Sequence, residues 1–338
     1  MVKRKTSVKS ILLAIFISLF IIFLLFSCFI GSQVVLGSTQ LVTNEETKGI
    51  PEGLWEKYNM DYDSFCEKYT IETVSLKSTH YEHNIPVDFI YEDKNSTDIV
   101  IMVHGLGDNR YSNYPIAEFF LENGYSVITY DQRSTNENTA EKTTFGYMEK
   151  YDLIDCINYA KEFAKGNRVI IWGTSYGGAT AIQAVNYDRV CKDVKYLILD
   201  CPVSNMEWMV EEEIKKMDIP LPTGYMVWCG SVMNDAMLGF SYNEVDSAEL
   251  AKSMHVPTLV INSKVDNVTP YFMGKEIYDN LPDIINEENR SRINQLWTVE
   301  DSKHAEVWLD HNEEYRNTVN SFIQGCYGYY IEDKIPKN

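Results

Sequence analysis

Ser175, Asp266 and His304 are the residues whose types, order and surroundings in this 338-residue chain suit nucleophilic chemistry. A serine hydroxyl is a poor nucleophile until a base takes its proton, and the base acts only when a third group orients it. Ser175 lies at the centre of Gly173-Thr174-Ser175-Tyr176-Gly177, with Gly178 following. Asp266 sits in Asp266-Asn267-Val268-Thr269-Pro270 and His304 in Ser302-Lys303-His304-Ala305, so the order is nucleophile, acid, base. The chemistry this predicts is acyl transfer, which also needs two backbone N–H groups for the developing oxyanion. Leu106, in His104-Gly105-Leu106-Gly107, and Tyr176, just after the serine, are the expected donors. Gly-x-Ser-x-Gly alone arises by chance in about one chain in fifteen of this length, so the weight rests on what flanks it.

The flanks read as strand, tight turn and helix. Arg168-Val169-Ile170-Ile171-Trp172 is an apolar, β-branched lead-in, and Ala179 to Val185 has helix-compatible composition. Such a turn lifts the serine to a helix N-terminus, whose dipole favours negative charge, and the glycines leave room for its backbone. Further strands are predicted over 71–76, 85–91, 99–103, 125–131, 195–200, 258–262 and 293–298. Helices are predicted over 112–122, 149–164 and 306–322. Strands alternating with helices in this way imply an α/β fold with a mostly parallel sheet covered on both faces. Asp266 and His304 then fall on loops after the last two strands. Asp200, ending the strand before, is the alternative acid. His80 and His83 lie in the first hairpin region, His255 precedes a strand and His311 lies in the final helix, so His304 is the expected base.

The chain has a formal charge of −19, which argues against a nucleic-acid or anionic-surface binder. The first 37 residues hold Lys3, Arg4, Lys5 and Lys9 and no acid, so 26 of the 30 basic residues and all 49 acids lie beyond them. Ile11 to Ile30 carries no charge and is long enough to cross a bilayer. The basic residues before it place the N-terminus in the cytoplasm and the acidic body outside. An uncleaved signal-anchor over 1–37 is the preferred reading. A cleaved secretory signal ending near Gly37 and a lipoprotein signal at Cys28 are the alternatives, the latter weakened by Phe26 where a small residue is usual. Outside this segment Cys66, Cys156, Cys191, Cys201, Cys229 and Cys326 permit up to three disulfides, without a recognised framework. No CxxC pair occurs, so no metal site built from cysteine is expected.

Residues 38–73 read as a linker or stalk, with a short amphipathic helix packed on the body as the alternative. The body is placed at 74–331. Within it an insertion over about 203–250 is rich in Met206, Trp208, Met209, Met217, Tyr225, Met226, Trp228, Met233, Met237 and Phe240. It reads as a lid over an apolar pocket, or as a helical insert with its own small core.

From about Val74 to Phe322 the chain resembles the α/β hydrolases. The resemblance is carried by His104-Gly105-Leu106-Gly107, Tyr130-Asp131-Gln132-Arg133, Gly173 to Gly178, Asp266 to Pro270 and Ser302 to Ala305. It is most similar to the branch grouped with serine aminopeptidase-like and dienelactone-hydrolase-like proteins, including membrane-anchored bacterial members. The sequence departs from that pattern at Ser134-Thr135-Asn136-Glu137-Asn138, where many relatives have a glycine-rich turn, and at Asn262-Ser263, where a glycine is common. The resemblance implies a two-step serine hydrolase with Ser175 as nucleophile, His304 as base, Asp266 orienting it, and no metal or organic cofactor. The expected substrate is a small carboxylic ester, thioester or amide met outside the cytoplasmic membrane, or in the medium if the protein is secreted. A peptidase is the enzymatic alternative, with Glu211-Glu212-Glu213 as a candidate anchor for a substrate amine. A non-catalytic surface binding protein is the alternative of another class.

Overall fold

The computed structural model describes residues 8–93, 98–164, 169–187, 190–285 and 292–326. Lys3, Arg4 and Lys5 before the apolar run, Arg168, the side chain of Cys191, and residues 327–331 of the expected body lie outside the described residues. The described chain divides into two compact units.

One unit begins with helix α1 (Val8–Thr39), long and apolar enough to cross a membrane. Its other members come from Met206–Glu244 and are taken up below.

The second unit starts at Gln40. In the stretch expected as a linker it has α2 (Glu52–Lys57) and α3 (Tyr62–Lys68). Their Trp55 and Phe65 are buried against the Tyr114 ring, with centroids 5.5 and 5.0 Å away. The sheet follows as β1 (Thr70–Lys77), β2 (Asn84–Tyr91) and β3 (Ile99–Val103), then α4 (Tyr114–Glu122) and β4 (Ser126–Tyr130). Next come α5 (Glu149–Lys161), β5 (Val169–Thr174), α6 (Tyr176–Val185) and β6 (Val194–Asp200). The insert supplies α7 (Met206–Lys216) and α8 (Thr223–Leu238) to the first unit. The second resumes with α9 (Ser247–Ala251), β7 (Thr258–Ser263), α10 (Tyr271–Asn280), β8 (Gln295–Val299), α11 (Val307–Asp310) and α12 (Asn312–Gly325).

The eight strands run in the order β1-β2-β4-β3-β5-β6-β7-β8. β2 is antiparallel to both β1 and β4, and every pairing from β4 to β8 is parallel. This is the α/β-hydrolase fold. Continuous apolar strands such as Ile99–Val103 are buried because helices cover both faces. Leu153 and Ile157 of α5, Ile182 of α6 and Ile277 of α10 line one side. Phe119 and Phe120 of α4, with Tyr315 and Phe322 of α12, line the other. Each fully buried side chain of this size is worth about 1.5–3 kcal/mol against exposure.

Two local readings differ from the structure. The helix expected over 306–322 breaks at His311, whose backbone leaves helical geometry (φ −129°, ψ 41°) while its Nε2 meets Asp301 Oδ1 at 2.9 Å. The glycine-free loop after β4 still reaches left-handed φ at Ser134 (+59°) and Asn136 (+42°). Ser134 is held by donating both its N–H and its hydroxyl to Ala140 O, and Asn136 donates to Asp131 Oδ2. Short polar side chains that bond locally are those that tolerate this region. Asp131 also accepts from the buried Arg110 guanidinium, which pairs with Asp88 Oδ2 at 2.8 Å and Glu137 Oε2 at 2.7 Å. Arg110 thereby ties the loop after β3 to the loop after β4.

Candidate active site

β5 runs out at Thr174 and α6 begins at Tyr176, leaving one residue to make the turn. That residue, Ser175, has φ +52° and ψ −117°, a conformation a non-glycine residue holds only when its surroundings impose it. They do so through hydrogen bonds on both sides of its peptide. Its N–H donates to Asp200 O at 2.8 Å, and its carbonyl accepts from Gly178 N and Val203 N at 3.0 and 3.2 Å. The flanking glycines are steric necessities. A Cβ on Gly173 would lie 2.7 Å from Gly177 O, and one on Gly177 would lie 2.6 Å from His104 O and nearer still to Val103 O. The turn can therefore lie against the end of β3 only without side chains.

The Ser175 N–H is spent on Asp200, so the next backbone donor is that of Tyr176, at the N-terminus of α6. Among the described turns, loops and caps no backbone hydrogen bond is donated by the Tyr176 or Leu106 N–H. The Leu106 loop is held through its neighbour His104, whose Nδ1 donates to Gly105 O at 2.7 Å while Nε2 accepts from Gln132 N at 3.0 Å. Gln132 returns a hydrogen bond from Nε2 to His104 O at 2.6 Å. Burial pushes His104 down to about 4, so it stays neutral and its tautomer is set by these two partners.

His304, on the loop after β8, reaches Ser175 Oγ with Nε2 at 2.9 Å and Asp266 Oδ2 with Nδ1 at 2.7 Å. The carboxylate accepts at Nδ1, so the proton resides there and Nε2 presents a lone pair to the serine hydroxyl. Asp266 is itself fixed, since its Oδ1 accepts from Val268 N and Thr269 N at 2.8 and 2.9 Å. Burial raises the Asp266 pKa, but the hydrogen bond and charge of His304 and these two N–H donors reverse it, and the net direction is down. For His304, burial opposes the charged form, while the neighbouring Cys201 sulfur and the Asp266 carboxylate raise its pKa. Burial also pushes the Cys201 thiol up, so it is uncharged near neutrality and Asp266 is the cause that persists there.

Asp200, the alternative acid, points elsewhere. Its Oδ2 accepts from Tyr315 OH at 2.9 Å, and that oxygen in turn accepts from Trp172 Nε1 at 2.8 Å. Burial raises its carboxyl to about 6.

Three neighbours carried no assigned role in the sequence. Thr269 Oγ1 lies 3.0 Å from Asp266 Oδ2, 3.1 Å from His304 Nδ1 and 3.0 Å from Cys201 O. Cys201, at φ +43°, follows the last residue of β6 and lies beside Asp266 and His304. Its sulfur and the nearest ligand atoms of Asp266 and His304 lie within 4.8 Å of one another, a grouping the direct His304–Asp266 hydrogen bond accounts for. Asp108 Oδ2 would lie 3.2 Å from a Cβ on Gly105, and burial raises its carboxyl to about 6. The Asp-x-x-Thr spacing after β7 was the one available signal for Thr269. The six cysteines whose side chains are described are free thiols. In the other unit, Glu211, Glu212 and Glu213 of α7 pair with Lys215 and Lys216 on the same helix, which is the pattern of a solvated helix face.

Comparison with known proteins agrees with this fold. The sequence model of the family described as alpha/beta hydrolase fold matches residues 98–226. The chain is similar to the uncharacterized protein YqkD of Bacillus subtilis, at 23% identity over 77% of this chain and 88% of that one. It is also similar to a lysophosphatidylserine lipase of Xenopus tropicalis, at 26% identity over 56% of this chain and 48% of that one. Among solved structures, an esterase of Pyrococcus furiosus superposes with a TM-score of 0.61 at 19% identity, covering 84% of this chain and 97% of that one.

Proposed function

We propose that this chain is a serine hydrolase of carboxylic esters, acting outside the cytoplasmic membrane and tethered to it by α1. The observation that carries the reading is the continuous hydrogen-bonded line from Ser175 Oγ through His304 to Asp266, at 2.9 and 2.7 Å.

In this mechanism Ser175 Oγ attacks the ester carbonyl carbon as its proton passes to His304 Nε2. The carbonyl π pair moves to oxygen, and the Leu106 and Tyr176 N–H groups hold the resulting oxyanion with help from the α6 dipole. Asp266 stabilises the imidazolium through Nδ1–H. Collapse of the tetrahedral species expels the alkoxide, which takes the proton from His304 and leaves an acyl-serine. Water then repeats the sequence, giving one proton to His304, which passes it to Ser175 Oγ as the acyl bond breaks, and the product leaves as the carboxylic acid and ionises in solvent. Every proton is carried by His304, so the chemistry asks for no cofactor.

An ester is favoured over a peptide by leaving-group chemistry, since an alkoxide departs more readily than an amide nitrogen. The acidic run that a peptidase reading uses as an amine anchor is already paired with Lys215 and Lys216. The lipase and esterase activities named for two of the similar proteins are consistent with ester cleavage.

The test is labelling with a fluorophosphonate beside a Ser175→Ala variant of equal thermal stability, followed by a p-nitrophenyl ester chain-length series. Labelling and turnover that both disappear in the variant support the reading. A well-folded wild-type protein that neither labels nor turns over any ester overturns it in favour of a binding protein.

A further inference from the structure

We infer that the first half of α8 is seated in the outer leaflet of the bilayer beside α1, with phospholipid chains covering the face that α1 leaves open. This rests on α1 crossing the membrane as proposed above.

Within their unit, α1 and α8 run side by side in the same direction. Tyr225 stacks on Phe23 with centroids 6.1 Å apart and meets Ser27 Oγ through its hydroxyl at 2.7 Å. One turn further on, the backbones come close through reciprocal glycines. A Cβ on Gly31 would collide with Cys229 O, and a Cβ on Gly230 would collide with Val34 Cγ1. Beyond the end of α8, Tyr242 OH reaches Ser38 Oγ at 3.0 Å. Close approach through small residues and hydroxyls satisfied across the pair are how helices associate in lipid, where apolar burial gives no net drive.

The register fixes the depth. If Ile11 to Ile30 fills the hydrocarbon layer, Phe23 and Ser27 lie roughly 5–10 Å on the membrane side of Ile30, at 1.5 Å per residue. Tyr225 lies level with them. Lys9 and the basic residues before it put the N-terminal end of α1 in the cytoplasm, so this depth belongs to the outer leaflet.

The composition of α8 fits that environment. Ile219 to Asn234 carries no charge, between Asp218 and Asp235. Trp228 and Val232, one turn apart on one face, are 57% and 51% exposed, and Met217 and Ile219 before the helix are exposed as well. Trp228 falls near the level of Ile30, the boundary that tryptophan favours. Charge returns at Asp235, on the aqueous side.

The experiment uses the full chain reconstituted in phosphatidylcholine vesicles with brominated or ordinary acyl chains, as wild type and Trp228→Phe. Co-flotation with vesicles reports the α1 span. Tryptophan emission reports α8: wild type should carry a bromolipid-quenched component, one tryptophan's share of the six in the chain, that W228F lacks and that aqueous iodide does not quench. A chain that floats but shows no such difference overturns the placement of α8 while leaving the span intact. An iodide-quenched component places Trp228 in water, and a component quenched by neither agent places it against protein or a second copy, both of which overturn the inference. A chain that does not float overturns span and inference together, and neither result bears on the fluorophosphonate test of Ser175.

Discussion

Asp266→Asn should disable the site through a proton on the wrong nitrogen. The carboxylate uses both oxygens: Oδ1 accepts from two backbone N–H groups, and Oδ2 accepts from His304 Nδ1. An asparagine amide must keep its oxygen toward Val268 N and Thr269 N, since turning it would set an NH2 against two N–H donors in a buried position. The NH2 then faces His304 Nδ1, and a donor there forces the imidazole proton onto Nε2. That nitrogen, 2.9 Å from Ser175 Oγ, can no longer accept the serine proton. A tautomer error of this kind costs about 10⁴-fold in kcat, or about 5–6 kcal/mol of transition-state stabilisation. The pH dependence has a definite sign as well. Burial lowers the His304 pKa and the Asp266 charge raises it, so removing the charge leaves burial in command. The acid limb of kcat/KM, above 6.5 in wild type, should move below it in the variant. The stability carried by the raised His304 pKa, complete below about 6.5 and lost as pH rises through the folded value, should vanish with it. The assay is p-nitrophenyl ester hydrolysis from pH 5 to 10, with thermal unfolding followed over the same range. A variant within about tenfold of wild type, with its acid limb unmoved, would refute the tautomer argument. Asp200→Asn is the control, because Asp200 bonds Tyr315 and acts on His304 only through its charge, so it should move the limb much less than Asp266→Asn does.

Three further outcomes follow from particular contacts. Thr269→Val removes the hydroxyl shared by Asp266, His304 and Cys201 O, and should lower kcat/KM about tenfold, the effect of one modest hydrogen bond, with fluorophosphonate labelling slowed in proportion. Gly177→Ala forces a methyl into Val103 O and His104 O and should destabilise by at least about 1–3 kcal/mol while abolishing labelling; calorimetry showing an unchanged Tm with labelling intact would contradict the packing argument. Arg110→Met leaves Asp88 and Asp131 buried without their cation and should cost about 3–5 kcal/mol in urea unfolding, with the largest deficit at high pH, where the buried Asp131 carboxyl, already pushed up by burial, must stay charged.

The strands were legible because burial on both faces writes continuous apolar runs such as Ile99–Val103, and because the glycine spacing around Ser175 answers a local steric demand. Those glycines are needed by the turn itself and by the strand end next to it, so their meaning survives in a short stretch of sequence. The break at His311 was not legible, because its cause is a hydrogen bond to Asp301 rather than a helix-breaking residue. Nor was the buried loop after β4. Its polar residues carry no apolar pattern that marks burial, and Asp131 gains its partner only when Arg110 is brought in from another loop.

Sequence by itself thus determined the fold class, the strained serine turn and the order in which Ser175, Asp266 and His304 follow one another, all properties of short segments and their succession. Only the tertiary structure showed which of two carboxylates His304 meets. Asp200 and Asp266 both end up near the serine turn, and the choice depends on which oxygen His304 can reach and on Tyr315 claiming the other carboxylate across 115 positions of chain. Tertiary structure likewise decided that the insert helix α8 pairs with α1. Ser27 and Tyr225 are 198 positions apart, and the glycines that let the helices meet are unremarkable in either segment alone. Periodicity and spacing encode what a segment demands of its own backbone; which distant side chain satisfies a buried donor, acceptor or bare glycine face is settled only when packing brings the candidates within reach of one another.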